Sequence, residues 1–85
     1  MGVRDYSMPD EFRFLCLLHN VGATSSDKSL TVEEISRWTV IEPEKVLENL
    51  EKLIENDYIH VSLVEDAKRY HVTINGIRKV LSMYS

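Results

Sequence analysis

The chain has 85 residues, 44% hydrophobic and 28% charged; a chain this short buries only roughly 60% of its unfolded surface, which excludes a body with two separate cores. The composition is that of an ordinary globular protein, outside the disordered, collagen-like and disulfide-scaffold classes. Ten Lys and Arg against fourteen Asp and Glu leave a net charge of -4, so any contact with nucleic acid or an acidic membrane must use a local patch. Cys16 is the one cysteine; it has no disulfide partner and cannot found a multi-cysteine zinc site. The longest strongly apolar run, residues 14–18, is far below the ~18 residues that span a bilayer, and no signal-peptide pattern precedes it. A soluble cytoplasmic protein, with no membrane contact and no cofactor, is expected.

In chain order, residues 1–8 carry no apolar period and are expected to form a flexible tail ahead of one domain over 9–85. Phe12, Phe14, Leu15, Cys16, Leu17, Leu18 and Val21 lie nearly all round a helical wheel between Pro9 and Val21, which predicts a central helix with several partners. Gly22 can end it in the left-handed region, and residues 23–29 read as a polar loop. Thr31 and Glu34 have the spacing of a capping box, with Leu30 and Ile35 placed as a hydrophobic staple. A short second helix therefore starts at Thr31 and stops near Thr39, where a branched run precedes Pro43. Pro43 suits the first turn of a third helix reaching about Asn56. Its buried face is read as Val46, Leu47, Leu50, Leu53 and Ile54.

From Tyr58 the period becomes two. Two strands around a four-residue turn, Glu65 to Lys68, form a predicted hairpin that sets Leu63 opposite Tyr70 and Val61 opposite Val72. A last helix, capped by Thr73 or Asn75, carries an apolar stripe of Ile77, Val80, Leu81 and Tyr84.

Helix, short helix, turn, longer helix, hairpin and helix is the order of a winged helix-turn-helix domain, mainly α with a β-hairpin wing. The residues resemble that family too. LTVEEISRW at 30–38 looks like its first motif helix, PEKVLENLEKLIENDYI at 43–59 like its recognition helix entering the wing, and YHVTINGIRKVL at 70–81 like its strand-to-helix passage. One departure is Asn56, Asp57 and Tyr58 where the family often has Gly; Asn or Asp can take the left-handed cap instead. The resemblance implies a small dimeric transcription regulator that binds double-stranded DNA, with Lys45, Asn49 and Lys52 on the third helix and Lys68 and Arg69 at the wing tip as contacts.

The charge pattern argues against part of that expectation. Glu44, Glu48, Glu51 and Glu55 fall on one line of the third helix, about 16 Å long at 1.5 Å per residue, beside a polyanion's expected position. A Glu48–Lys52 pair offsets little of it. Residues 31–66 sum to -7 and residues 67–85 to +4. The alternative is a winged helix acting as a protein-interaction module, its acidic face docking on a protein partner. Either way, a twofold homodimer through the first and fourth helices is expected, since 85 residues offer few surfaces to cover both apolar faces. His60 and His71 stand diagonally on the hairpin, and two ligands alone do not make a metal site. Trp38 and Tyr58 read as core packing rather than base stacking. No nucleophile motif or phosphate-binding glycine loop is present, so neither catalysis nor a metal is expected.

Overall fold

The computed structural model describes residues 8–84. The expected N-terminal tail therefore lies outside the described residues except for Met8, which is half-buried. Four helices and one hairpin follow: α1 (Asp10–Asn20), α2 (Val32–Thr39), α3 (Pro43–Glu55), β1 (Ile59–Val64), β2 (Ala67–Val72) and α4 (Ile74–Tyr84), with a 3-10 turn at Ser26–Lys28. No described helix is long and apolar enough to cross a membrane.

Each helix begins and ends for a local reason. Beyond α1, the amide of Ala23 donates to the Leu18 carbonyl and that of Gly22 to His19, with Gly22 at φ +90°. This is the left-handed helix end that glycine permits. The capping box at α2 is complete: the Glu34 amide donates to Thr31 Oγ1 at 3.2 Å, and the Thr31 amide donates to Glu34 Oε1 at 3.0 Å. Pro43 occupies the first turn of α3, where its missing N–H costs no helical bond. At the other end Asp57 takes φ +64°, and the amides of Asp57 and Tyr58 donate to the carbonyls of Ile54 and Leu53. The acidic residue thus fills the place that glycine takes in many helix ends. Thr73 caps α4, its Oγ1 accepting from the Gly76 amide at 3.0 Å.

These elements enclose one core. Phe14, Leu15 and Leu18 of α1 meet Ile35 of α2, Val46, Leu50 and Leu53 of α3, Ile59, Tyr70 and Val72 of the hairpin, and Val80 of α4. The expected core face of α3 needs correction at two places. Leu47 is 41% exposed, and Asn49 takes a place inside at 7%. Asn49 lies three residues after Val46 and four before Leu53, so the helical repeat carries it inward whatever its polarity. The stripe of α4 also divides: Val80 is buried and Ile77 half-buried, while Leu81 and Tyr84 are exposed.

The hairpin register differs from the expected one by two residues. Ile59 pairs with Val72, Val61 with Tyr70 and Leu63 with Lys68, leaving only Glu65 and Asp66 in the turn. Both have positive φ, 52° and 68°, the conformation a two-residue turn needs to match strand twist. A slip of two keeps every side chain on its face, so Ile59, Val61, Tyr70 and Val72 still turn inward with changed partners, whereas Leu63, also expected inward, lies beyond the core at 69% exposure. His60 and His71 become direct partners rather than diagonal ones, with ring centroids 5.3 Å apart.

One pairing was not expected. Leu30 and Tyr70 exchange backbone bonds of 2.9 and 2.8 Å, and the Val72 amide donates to Ala23 at 2.7 Å. The segment between α1 and α2 thereby lies along the free edge of β2, and the 3-10 turn bulges between its two contacts. Too few of its residues pair for a period of two to show in the sequence.

Candidate nucleic-acid interface

The buried residues Val46, Asn49, Leu50 and Leu53 fix the rotation of α3. At 100° per residue, Glu44, Glu48, Glu51 and Glu55 then fall around the opposite side of the helix, and all four are exposed. The outermost line of α3 is therefore acidic throughout its length. Lys45 and Lys52 stand on one flank of this line, both exposed. Lys45 Nζ pairs with Glu48 Oε1 at 3.3 Å, with 63% and 62% of the two side chains open to solvent. The expected Glu48–Lys52 partnership is thus replaced by one a turn earlier, and such an exposed pair is worth only ~0–1 kcal/mol. Asn49 stands one turn beyond Lys45 but is buried against α1, and both residues line a cavity with Phe14, Leu17 and Ile41. A groove-reading role for it needs correction, because its side chain is directed inward.

The wing presents Lys68 in the open, directly across from an exposed Leu63. Arg69 faces another way. Its Nη2 donates to the Ser29 carbonyl at 2.7 Å and its Nε to Ser29 Oγ at 3.2 Å, while Glu34 Oε1 lies 3.5 Å from Nη2. Arg69 therefore fastens the wing to the segment before α2, and is a fixed strut rather than a tip cation. The two expected wing contacts are brought to opposite faces of β2, as neighbours in a strand must be.

The turn between α2 and α3 carries exposed apolar groups that the sequence reading placed elsewhere. Trp38, expected in the core, is 66% exposed, and Val40 is 90% exposed at φ 58°, ψ 37°. The helix ends here because the Ser36 hydroxyl donates to Ile41 O at 2.6 Å, a contact that draws the chain across the helix end. Tyr58 keeps its expected packing role, half-buried with its ring edge-on to Phe12 at 6.3 Å. Cys16 is half-buried against the core.

Two titrating groups mark how closely the wing is seated. Burial pushes the Tyr70 hydroxyl above its ordinary value, and the carboxylates of Glu51 and Glu33 add to the effect. Burial lowers the pKa of His71, and the neighbouring His60 lowers it further.

With helix, turn, outward helix and wing in this arrangement, comparison with known proteins becomes informative. A family model described as winged helix DNA-binding domain matches residues 13–76, from α1 through the first turn of α4. The chain belongs to the winged helix DNA-binding domain family. Among solved structures, this winged helix is similar to the DNA-binding TubR fragment from Clostridium botulinum, with a TM-score of 0.76 and 24% identity over 87% of this chain and 93% of that one. It also resembles Bordetella bronchiseptica BpsR, whose DNA binding is regulated by 6-hydroxynicotinic acid, with a TM-score of 0.75 and 21% identity over 93% of this chain but 55% of that one. Staphylococcus aureus MepR in complex with DNA gives a TM-score of 0.72 and 18% identity over 98% of this chain and 67% of that one. No curated protein matches the chain. At these identities the likenesses establish the fold.

Proposed function

We propose that this winged helix binds double-stranded DNA as a small dimeric transcription regulator. The observation that carries the reading is the family match over residues 13–76, which takes in both the outward α3 and the whole wing. Similarity to TubR and MepR, the one a DNA-binding fragment and the other seen with DNA, supports it. Lys45 and Lys52 on the flank of α3 and Lys68 on the wing supply the phosphate contacts. Arg69 acts indirectly by fixing the wing. The glutamate line requires the helix to meet DNA along its lysine flank, since four carboxylates facing phosphates would cancel the attraction. Twofold association through the exposed Leu17 and Val21 of α1 and Leu81 and Tyr84 of α4 would cover apolar side chains that one copy leaves open.

A fluorescence-anisotropy titration against a mixed-sequence duplex at two salt concentrations tests this. The expected result is saturable binding with a steep salt dependence, the slope falling by about one for each of Lys45, Lys52 and Lys68 replaced by Ala. Binding that ignores all three substitutions rejects these contacts.

The acidic line of α3 favours a second reading, a protein-interaction module whose partner is basic. The double variant Glu48→Lys, Glu51→Lys separates the two. Under the DNA reading it tightens duplex binding; under the second, neither parent nor variant binds a duplex at physiological salt.

A further inference from the structure

The outward face of the hairpin meets the start of α4 in a cavity of about 410 Å³, lined by His60, His71, Thr73, Ile74 and Asn75. His60 and His71 are direct cross-strand partners with ring centroids 5.3 Å apart. Neither imidazole hydrogen-bonds a described residue, and in His71 it is Nδ1 that is enclosed, which leaves Nε2 as its accessible nitrogen. The spacing suits one shared ion. A ring nitrogen holds Zn²⁺ at about 2.0–2.1 Å, which puts the ring centre roughly 3.2 Å from the metal. Two centres 5.3 Å apart then subtend ~110° at the ion, the angle between neighbouring ligands in tetrahedral coordination.

Two imidazoles alone hold an ion weakly, and among the described residues no three His, Cys, Asp or Glu side chains gather around one point. The third donor is an amide. Asn75 lines the same cavity, and its Nδ2 donates to Asp57 Oδ2 at 2.8 Å. A carboxylate only accepts, so this bond fixes which end of the amide is occupied and leaves Oδ1 without a partner among the described residues. Asp57 is held in turn, because Thr73 Oγ1 donates to its carbonyl at 2.7 Å. The amide is therefore oriented from behind by a carboxylate, as many metal-bound side chains are. Charge does not oppose a cation here. Asp57 stands behind Asn75, and Arg69, two residues from His71 on the same face of β2, is drawn away to Ser29 and Glu34.

We propose that His60, His71 and Asn75 bind one divalent transition ion of the Zn²⁺ class, through the two imidazoles and the amide Oδ1, with the fourth position open to water. The ion ties β1 and β2 to the first turn of α4. The site uses none of the proposed phosphate contacts and stands independently of the DNA-binding reading.

The whole chain is titrated with ZnCl₂ under calorimetry, with MgCl₂ as the control ion, while the ring protons of His60 and His71 are followed by NMR. One-to-one saturation is expected below about 1 mM Zn²⁺. Both rings should shift together, Mg²⁺ should give no response, and the thermal midpoint should rise with Zn²⁺ concentration. His60 and Asn75 are exposed, so their variants keep the fold. His60→Ala should weaken binding by about tenfold or more, and Asn75→Ala several-fold. Cys16 and His19 are the other side chains one helical turn apart that suit Zn²⁺, and Cys16→Ser should bind as the parent does. Absence of saturation, affinity unchanged in His60→Ala or Asn75→Ala, or binding lost in Cys16→Ser overturns the proposal. The titration contains no DNA, so its failure and failure of duplex binding are told apart.

Discussion

Replacing Gly76 by Ala tests how α4 is seated on the wing. A Cβ built at this position overlaps the Tyr58 carbonyl oxygen and lies 2.6 Å from Val72 Cγ1. Neither neighbour can easily yield. The Tyr58 carbonyl accepts from the Thr73 amide at 2.9 Å, and Thr73 Oγ1 donates to the Asp57 carbonyl at 2.7 Å, so the start of α4 is tied to the start of β1 by its own hydrogen bonds. Val72 is fully buried. Relieving the overlap therefore requires α4 to move off the hairpin, costing ~1–3 kcal/mol of overpacking and about 1 kcal/mol for a lost hydrogen bond. Ala is better than Gly in a helix by about 1 kcal/mol. The net expectation is destabilisation by about 1–3 kcal/mol, which for a urea slope of roughly 1 kcal/mol/M in a small domain moves the unfolding midpoint down by about 1–3 M. Equilibrium urea unfolding followed by far-ultraviolet circular dichroism reads this directly. A midpoint for Gly76→Ala equal to or above the parent's would refute the reasoning, because the helix-propensity gain would then be the only effect acting.

The other predictions concern single side chains. Val40 holds a left-handed conformation at 90% exposure, so Val40→Gly should raise stability by about 1 kcal/mol by removing steric strain without losing packing, seen as a higher thermal midpoint. Asn49→Leu, which puts an apolar side chain of similar size at a position only 7% exposed among apolar neighbours, should also stabilise, by about 1 kcal/mol in the same urea assay. Arg69→Ala should cost about 1–2 kcal/mol through its lost charge-assisted bonds to Ser29, whereas Lys68→Ala, a surface change, should stay within about 0.5 kcal/mol. Burial, reinforced by His60, lowers the folded-state pKa of His71 below its unfolded value of about 6.5. The unfolded chain therefore takes up this proton first on acidification, so the contribution present above that unfolded pKa is lost as pH falls toward the folded one. Thermal midpoints measured across this range should fall with pH, and less steeply in His71→Val.

Local chemistry fixed much of this architecture in advance. Thr31 and Glu34 form their capping box from side chains three residues apart, Pro43 needs only its ring and missing amide, and Asp57 supplies a left-handed helix end next to the residues it serves. All are interactions within one turn of chain, and the apolar periods of α3 and the hairpin added which faces turn inward. The charge line of Glu44, Glu48, Glu51 and Glu55 was legible for the same reason, since helical geometry alone places them together.

What escaped was decided between elements. The hairpin's register depends on Glu65 and Asp66 both accepting positive φ, which neither residue type announces as glycine would. Arg69 finds Ser29 forty residues away, and Leu30 finds Tyr70 across a segment too short and polar to look like a strand. Trp38 is exposed because the core is filled from α1, α3 and the hairpin, leaving the end of α2 outside. Asn49 shows the division most plainly. Its spacing from Val46 and Leu53 turned it inward, but only the approach of α1 made that inward place a cavity with an amide in its wall. Sequence sets each helix's direction and faces through neighbours one turn apart; close packing between distant segments decides what each face meets.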